Sequence, residues 1–221
     1  MAAKHDGPKA IAFDYGGVLA HFMDEETMCH MAGTAGLSTE AFVEPYWRLR
    51  PAFDNGDLGL SDYWNAVLDA GGSAVDRMHA ATVLAELDTI GWSRMNAAVI
   101  RWALELLAAG YRCFIVSNMS VSAYEVLIAR RSWARHFEAH IISGQLGVNK
   151  PDRAIFAEAV ARTRLAPGEV LFLDDSERNI VAAREFGMAA LQVSTAARLE
   201  ADLRREFPSV PCGSLVCGVN G

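Results

Sequence analysis

The sequence predicts an α/β protein with a doubly wound, Rossmann-like parallel sheet as its core and an inserted helical cap. Three observations support this fold class: short apolar runs that end in polar residues, helical patterns between those runs, and one long interval without a convincing strand. Short apolar runs are typical of strands that are buried on both faces of a parallel sheet. Strands that alternate with helices favour right-handed crossovers, which build a doubly wound sheet.

Five apolar runs are expected to form the strands of this sheet. They cover residues 9–13, 111–116, 140–142, 170–173 and 189–193. Three of the runs end in polar residues that could carry chemistry, namely Asp14, Ser117, Asn118, Asp174 and Asp175. In a doubly wound sheet the ligand crevice lies beyond the carboxyl ends of the strands, so we expect these polar residues to lie together.

Helical patterns fill the intervals between the predicted strands. They cover residues 94–109, 121–131, 151–164 and 176–186. Gly110 and Gly187 directly follow two of these patterns and fit C-terminal helix caps. Together with the strands, these helices predict a core domain made of residues 8–20 and 91–207.

Residues 21–90 break the alternation, because they contain helical patterns and turns but no convincing strand. We interpret this interval as the helical cap. Its large apolar side chains are expected to pack in the cap core: Phe22, Met23, Tyr46, Trp47, Phe53 and Trp64. The Gly- and Pro-containing end, residues 208–221, is predicted to be a flexible tail, and no role is assigned to its two cysteines, Cys212 and Cys217.

The composition limits the partners of the chain. It has 221 residues, of which 52% are hydrophobic, and a net charge of -7 without any block of Lys or Arg. This balance argues against nucleic acid or an acidic membrane as the main partner. No apolar run approaches the roughly 20 residues that span a bilayer, and the N-terminus lacks a signal-peptide core, so a cytoplasmic protein is expected. The sequence makes no prediction of the oligomeric state.

Carboxylates at strand ends are the first candidate functional groups. Asp14 precedes Gly16 in a turn where backbone groups can approach a ligand, although taken alone Asp14 could equally cap a turn. Asp174 and Asp175 would repel Asp14 unless a cation lay between them, and Asp175 could also cap the following helix. Oxygen ligands without His or Cys select a hard cation, and Mg²⁺ fits best because it is usually held by one or two carboxylates.

Ser117, Asn118 and Lys150 are the candidates for binding a phosphate group. Ser117 and Asn118 bring a hydroxyl, an amide and backbone N–H groups to a strand-to-helix turn. Lys150 precedes Pro151, which can open a helix, so the lysine has a fixed position from which its ammonium could reach a phosphate. A single lysine before a proline is also typical of a solvated surface.

Four segments, in this order, resemble the four motifs of the haloacid dehalogenase superfamily. They are FDYGGVL at 13–19, VSN at 116–118, KPD at 150–152 and FLDDSERN at 172–179. The resemblance covers roughly residues 8–20 and 95–194, whereas the cap matches only loosely through residues 53–61. It implies a hydrolase whose Asp14 carboxylate attacks the phosphorus of a small phosphorylated metabolite and forms an aspartyl-phosphate.

The resemblance also implies roles for the other site residues. The implied ligands of Mg²⁺, direct or through water, are Asp14, the backbone carbonyl of Gly16, Asp174 and Asp175. The implied phosphate-binding groups are Ser117, the backbone of Asn118 and Lys150. Lys150 would in addition offset the negative charge of Asp14, and the metal would neutralise charge on the transferring phosphoryl group.

Gly16 departs from the pattern of many phosphatases in this family, which carry a second aspartate there as the general acid and base. Without that acid, a sugar anomeric phosphate or an acyl phosphate would still react, because each leaves more readily than a simple alkoxide. We therefore expect a sugar-1-phosphate-like substrate. A subgroup with Gly at this position and Asp-Asp in the last motif is similar to this chain and includes glucose-1-phosphate phosphatases.

Two other functions stay open at this stage. A 2-haloacid dehalogenase would use Asp14 to attack carbon and needs no metal, but the acidic pair Asp174-Asp175 would repel the haloacid carboxylate. A catalytically weak member of the family with a binding or regulatory role would account for Gly16. Such a protein would have no need for a costly cluster of like charges.

Overall fold

A five-stranded parallel sheet forms the centre of the computed structural model, which describes residues 7–215. Its strands are β1 (Ala10–Phe13), β2 (Arg112–Ser117), β3 (His140–Ile142), β4 (Val170–Asp174) and β5 (Ala189–Gln192). The strand order is β3-β2-β1-β4-β5. The chain therefore extends the sheet in both directions from a central β1, which confirms the predicted doubly wound α/β class.

Both faces of the sheet are covered by apolar packing. Successive side chains of a strand point to opposite faces, so Ile11 and Phe13 pack in one hydrophobic cluster and Ala10 and Ala12 in another. Every residue of β1 and β4 is buried. This two-sided burial explains why these strands are short, continuous apolar runs in the sequence.

Four helices lie between β1 and β2, before the first helix of the core. They are α1 (Glu25–Thr34), α2 (Thr39–Asp54), α3 (Leu60–Gly71) and α4 (Arg77–Trp92). Three of them have side-chain N-caps, which are Asp24, Ser38 and Asp76. Each of these side chains accepts a hydrogen bond from a backbone N–H of the first turn. We call these four helices the cap; they share a hydrophobic cluster of their own.

In the described part of the chain, six further α-helices surround the sheet. They are α5 (Ala97–Ala108), α6 (Val121–Leu127), α7 (Ser143–Leu146), α8 (Arg153–Thr163), α9 (Glu177–Phe186) and α10 (Ala196–Glu206). Gly187 ends α9 with a φ of 103°, the left-handed conformation that favours glycine. Within residues 7–215, every helix is too short or too polar to cross a bilayer.

The segment after α10 differs from the flexible tail that the Gly and Pro content predicts. The Trp102 indole on α5 donates a hydrogen bond of 2.7 Å to the backbone carbonyl of Pro211, and Val210 and Leu215 are buried. The prediction is corrected for residues 208–215, because two apolar side chains hold this segment against α5. Cys217 lies outside the described residues.

Candidate active site

The carboxyl ends of β1, β2 and β4 meet at one edge of the sheet. Phe13, the last residue of β1, pairs with Ile115 of β2 and with Leu173 of β4. This register places Asp14 next to Asp174, at the carboxyl ends of the strands where the doubly wound fold predicts a ligand crevice. The polar residues that end these strands are therefore brought together at one place.

Lys150 lies between the strand-end carboxylates. Its Nζ atom is 2.8 Å from Asp14 Oδ1 and 2.7 Å from Asp174 Oδ2, and it donates to the Val116 carbonyl at 2.8 Å. The Lys150 side chain is only 1% exposed. The alternative of a solvated surface lysine therefore does not apply.

The side chain of Asn118 holds the backbone of Lys150. Its Nδ2 donates to the Lys150 carbonyl at 3.0 Å, and its Oδ1 accepts from the Lys150 N–H at 2.7 Å. Because the amide makes these two bonds, the Asn118 side chain fixes the position of Lys150. The predicted contact of Asn118 with phosphate therefore concerns its backbone. Ser117 is buried and lines the same cavity as Asp14.

Three carboxylates surround this lysine. Oxygen atoms of Asp14, Asp174 and Asp175 all lie within 4.8 Å of one another. Burial raises the pKa of Asp14 to about 7; Lys150 opposes the rise, while Asp174 and Asp175 add to it by repulsion. Burial, reinforced by the Asp174 charge, also raises the pKa of Asp175. Ionising the whole cluster is therefore costly without a further cation.

The donor set fits a Mg²⁺ ion. One ammonium faces three carboxylates, and the cluster contains oxygen ligands without His or Cys. Asp174 already accepts hydrogen bonds from the Ser176 N–H and the Asn179 amide, each at 2.9 Å, so its orientation is fixed. Gly16 lines the same cavity as Asp14 and Asp175, and its carbonyl remains a predicted ligand.

A cavity of about 190 Å³ lies between this sheet edge and the cap. Its walls on the side of residues 21–92 include Phe22, Trp47, Arg50, Asp54 and Trp92. Phe22 and Trp47 are 50% and 43% exposed, so the prediction that they pack in the cap core is wrong. Tyr46, Phe53 and Trp64 are buried in the cap cluster as predicted.

Sequence reasoning missed Arg50 and Asp54. Arg50 donates from Nε to Asp54 Oδ1 and from Nη1 to Asp88 Oδ1, both at 2.9 Å. Its guanidinium also lies 5.5 Å from the ring centre of Tyr46 and 5.6 Å from that of Trp92. Tyr46, Arg50 and Asp54 follow one another at intervals of four residues along α2. That spacing on one helix face is the signal that could have identified them.

Trp92 fills the space beside Gly16. A Cβ atom at position 16 would lie 3.1 Å from a ring carbon of Trp92. The Tyr15 hydroxyl donates to the Trp92 carbonyl at 2.8 Å, and the Trp92 indole donates to the Tyr46 hydroxyl at 3.1 Å. A side chain at position 16 would therefore require the Trp92 ring to shift by a few tenths of an ångström.

Comparison with known proteins identifies the family. The family model for haloacid dehalogenase-like hydrolases matches residues 8–187. The chain belongs to this family of hydrolases.

Individual relatives and solved structures show the extent of the similarity. Bifunctional epoxide hydrolase 2 of Rattus norvegicus is 29% identical over 125 residues, which cover 53% of this chain but only 23% of the rat protein. Sesquiterpene phosphatase astK of Aspergillus oryzae is 22% identical over 200 residues, 89% of this chain and 95% of the relative. The HAD family enzyme bt-2542 of Bacteroides thetaiotaomicron, solved in complex with magnesium and inorganic phosphate, shares the fold. Its TM-score is 0.64 at 20% identity, over 84% of this chain and 94% of that one.

Proposed function

We propose that this hydrolase is a Mg²⁺-dependent phosphohydrolase that acts on a small phosphorylated metabolite through an aspartyl-phosphate intermediate. The observation that carries the proposal is the buried cluster of Lys150 with Asp14, Asp174 and Asp175. Excess buried negative charge destabilises a fold, so its presence at the strand ends favours a role in binding a cation and a phosphate. The full-length similarity to a phosphatase also supports this reading.

Asp14 is the proposed nucleophile. Its Oδ1 accepts hydrogen bonds from the Tyr15 N–H at 2.6 Å and from Lys150 Nζ at 2.8 Å. Among residues 7–215, no hydrogen bond is made to the other oxygen, Oδ2. Oδ2 is therefore the atom that attacks phosphorus, while the bond from phosphorus to the leaving oxygen breaks.

The remaining residues hold charge during both steps. Lys150 stabilises the ionised form of Asp14, and the Ser117 hydroxyl binds a phosphoryl oxygen. Mg²⁺, when bound by Asp14, Asp175 and the other predicted ligands, supplies neutralisation of the transferring phosphoryl group. In the second step a water molecule attacks the phosphorus of the intermediate, inorganic phosphate leaves, and the Asp14 carboxylate is restored.

The cavity supports a small substrate. Its volume of about 190 Å³ lies below the roughly 300–1,000 Å³ that is typical of pockets for drug-sized ligands. Phe22 and Trp47 line the cavity together with Asp14 and Asp175. A phosphorylated sugar or another compact metabolite fits this combination of charged and aromatic side chains.

The test is phosphate release from a panel of sugar, nucleotide and acyl phosphates, with Mg²⁺ and with a chelator. We expect Mg²⁺-dependent release that Asp14→Asn lowers by about 10³-fold or more, since the attacking group is lost. Asp76→Asn is the matched control, because Asn still caps α4 far from the cluster. Release of chloride from 2-chloropropionate without phosphate release would identify a dehalogenase instead, and silence in both assays would favour a binding role.

A further inference from the structure

The cavity contains one carboxylate for which the proposed mechanism has no role. Among the titratable side chains that line it, Asp14 is the nucleophile and Asp175 belongs to the predicted metal cluster. The Tyr15 hydroxyl donates to a backbone carbonyl, and Arg50 is a permanent cation. Asp54 remains.

The cap helix that carries Asp54 is fixed to the core at this point. The Ser143 hydroxyl donates to the Asp54 backbone carbonyl at 2.7 Å, and the Asn149 amide donates to the Pro51 carbonyl at 2.7 Å. Ser143 also accepts a hydrogen bond of 2.8 Å from the Met119 N–H, in the turn that follows β2. The end of α2 is therefore held against the turn that contains the predicted phosphate-binding residues.

The charges around Asp54 leave it able to carry a proton. Arg50, Asp54 and Asp88 have side chains that are 11%, 10% and 8% exposed, so one buried cation serves two buried carboxylates. Asp88 accepts from both Arg50 and the Tyr46 hydroxyl, whereas Asp54 accepts through Oδ1 from Arg50 alone among the described residues. Asp54 is the more weakly bonded of the two carboxylates and is the one that lines the cavity.

Burial also favours the protonated form of Asp54. It raises the pKa of Asp54 to about 6; Arg50 opposes the rise, Asp88 adds to it, and Lys150 lowers the value slightly. The ammonium of Lys150, which contacts Asp14, thus also acts on Asp54 through its charge. A carboxyl group with a pKa near neutrality can give up and recover a proton in each catalytic cycle.

We propose that Asp54 is the general acid and base of this enzyme, an inference that rests on the proposed phosphohydrolase function. Position 16 is a glycine and supplies no such group, and Trp92 packs closely beside it. Asp14 comes from the sheet edge and Asp54 from the cap, so the two carboxylates enter the cavity from different structural units. Both carboxylates therefore border the space that a substrate would occupy.

The proton balance over the two steps is closed. As Asp14 Oδ2 bonds to phosphorus, the bond to the leaving oxygen breaks, and the proton of Asp54 passes to that oxygen to give a neutral alcohol. Asp54 is then a carboxylate paired with Arg50. In the second step it takes a proton from the attacking water, the bond between Asp14 and phosphorus breaks, and Asp54 is again protonated.

The test compares kcat/KM for substrates that differ only in how readily the leaving group departs: an alkyl phosphate, an aryl phosphate and acetyl phosphate. Asp54→Asn is expected to lower the value about 10²–10⁴-fold for the alkyl phosphate, because an alkoxide needs the proton, and to change it little for acetyl phosphate. Asp57→Asn is the matched control. Asp57 is exposed, lies three residues further along the chain and is not among the residues that line the cavity, so this variant should keep the leaving-group pattern of the parent.

Equal losses on all three substrates, or no loss on the alkyl phosphate, would overturn the role of Asp54 while leaving the phosphohydrolase proposal intact. If no substrate releases phosphate even with the parent protein, both proposals fail together. If Asp54→Asn does not fold, a series of aryl phosphates with the parent decides the question. A shallow dependence of kcat/KM on leaving-group acidity supports a general acid, and a steep dependence contradicts one.

Discussion

Two buried clusters of charge border the same cavity, and they differ in how their charge is balanced. At the sheet edge, Lys150 faces three carboxylates. In the cap, the carboxylates that face Arg50 among the described residues are those of Asp54 and Asp88, and Arg50 also contacts the Tyr46 hydroxyl and aromatic rings. The cap cluster is thus largely satisfied by its own neighbours, whereas the sheet cluster keeps negative charge for a ligand.

Burial of an ion pair does not by itself mark a binding site. Both cations are almost completely buried, and both make short contacts with carboxylate oxygens. What separates the clusters is the number of carboxylates for each cation.

The largest effect is expected from removing each cation. Lys150→Met and Arg50→Met should each lower the free energy of unfolding by about 3–5 kcal/mol, because buried carboxylates lose their partner. Urea unfolding with and without Mg²⁺ measures how much the ion stabilises each variant. Mg²⁺ should restore part of the stability of Lys150→Met but little of that of Arg50→Met, and an equal response of both variants would contradict the distinction.

A smaller effect on stability is expected at Gly16, which lines the cavity beside Trp92. Gly16→Ala should destabilise the fold by about 1–3 kcal/mol, because the new Cβ meets the ring of Trp92, which hydrogen bonds hold in place. Gly33→Ala in α1 is the control: no atom lies within 4 Å of its new Cβ, so about 0.5–1 kcal/mol of stabilisation is expected. Thermal unfolding that ranks the two variants alike would show that Trp92 can move aside.

Mg²⁺ binding at the sheet cluster should depend on pH. Burial raises the pKa of Asp14 from 3.8 to about 7, so the stability that this group contributes is present below pH 3.8 and is lost as the pH rises through about 7. Since Mg²⁺ needs the ionised carboxylate, the concentration for half-saturation should rise about tenfold per pH unit below 7. Calorimetric titration at several pH values measures the affinity for Mg²⁺. Asp14→Asn is the control, because its side chain does not titrate. A constant affinity from pH 6 to pH 8 would refute the coupling.

The smallest effect is expected from the contact that joins the cap to the core. Asn149→Ala removes the 2.7 Å hydrogen bond to the Pro51 carbonyl and should lower the free energy of unfolding by about 0.5–1.5 kcal/mol. If this bond also positions α2 over the cavity, KM should rise modestly with little change in kcat. A fall in kcat with an unchanged KM would show that Asn149 acts on the chemical step instead.

The sheet edge could be predicted because its signals are local. Each strand is a short apolar run, and the polar residue that follows marks its carboxyl end. Asp14 and Asp174 could therefore be expected at the same edge of a doubly wound sheet. The wall of the cavity that the cap provides could not be predicted. Phe22 and Trp47 resemble core residues in the sequence, and only the position of the cap shows that they face the cavity.

The alternation of apolar strands with helices, and the polar residues that follow three of the strands, can be recognised in the sequence because these patterns are properties of neighbouring residues. Only the packed fold shows that Trp92 lies beside position 16 and that Asp54 shares a cavity with Asp14. These relations join residues that are far apart in the chain. They also depend on burial, which changes the pKa of a carboxyl group only when several elements pack around it.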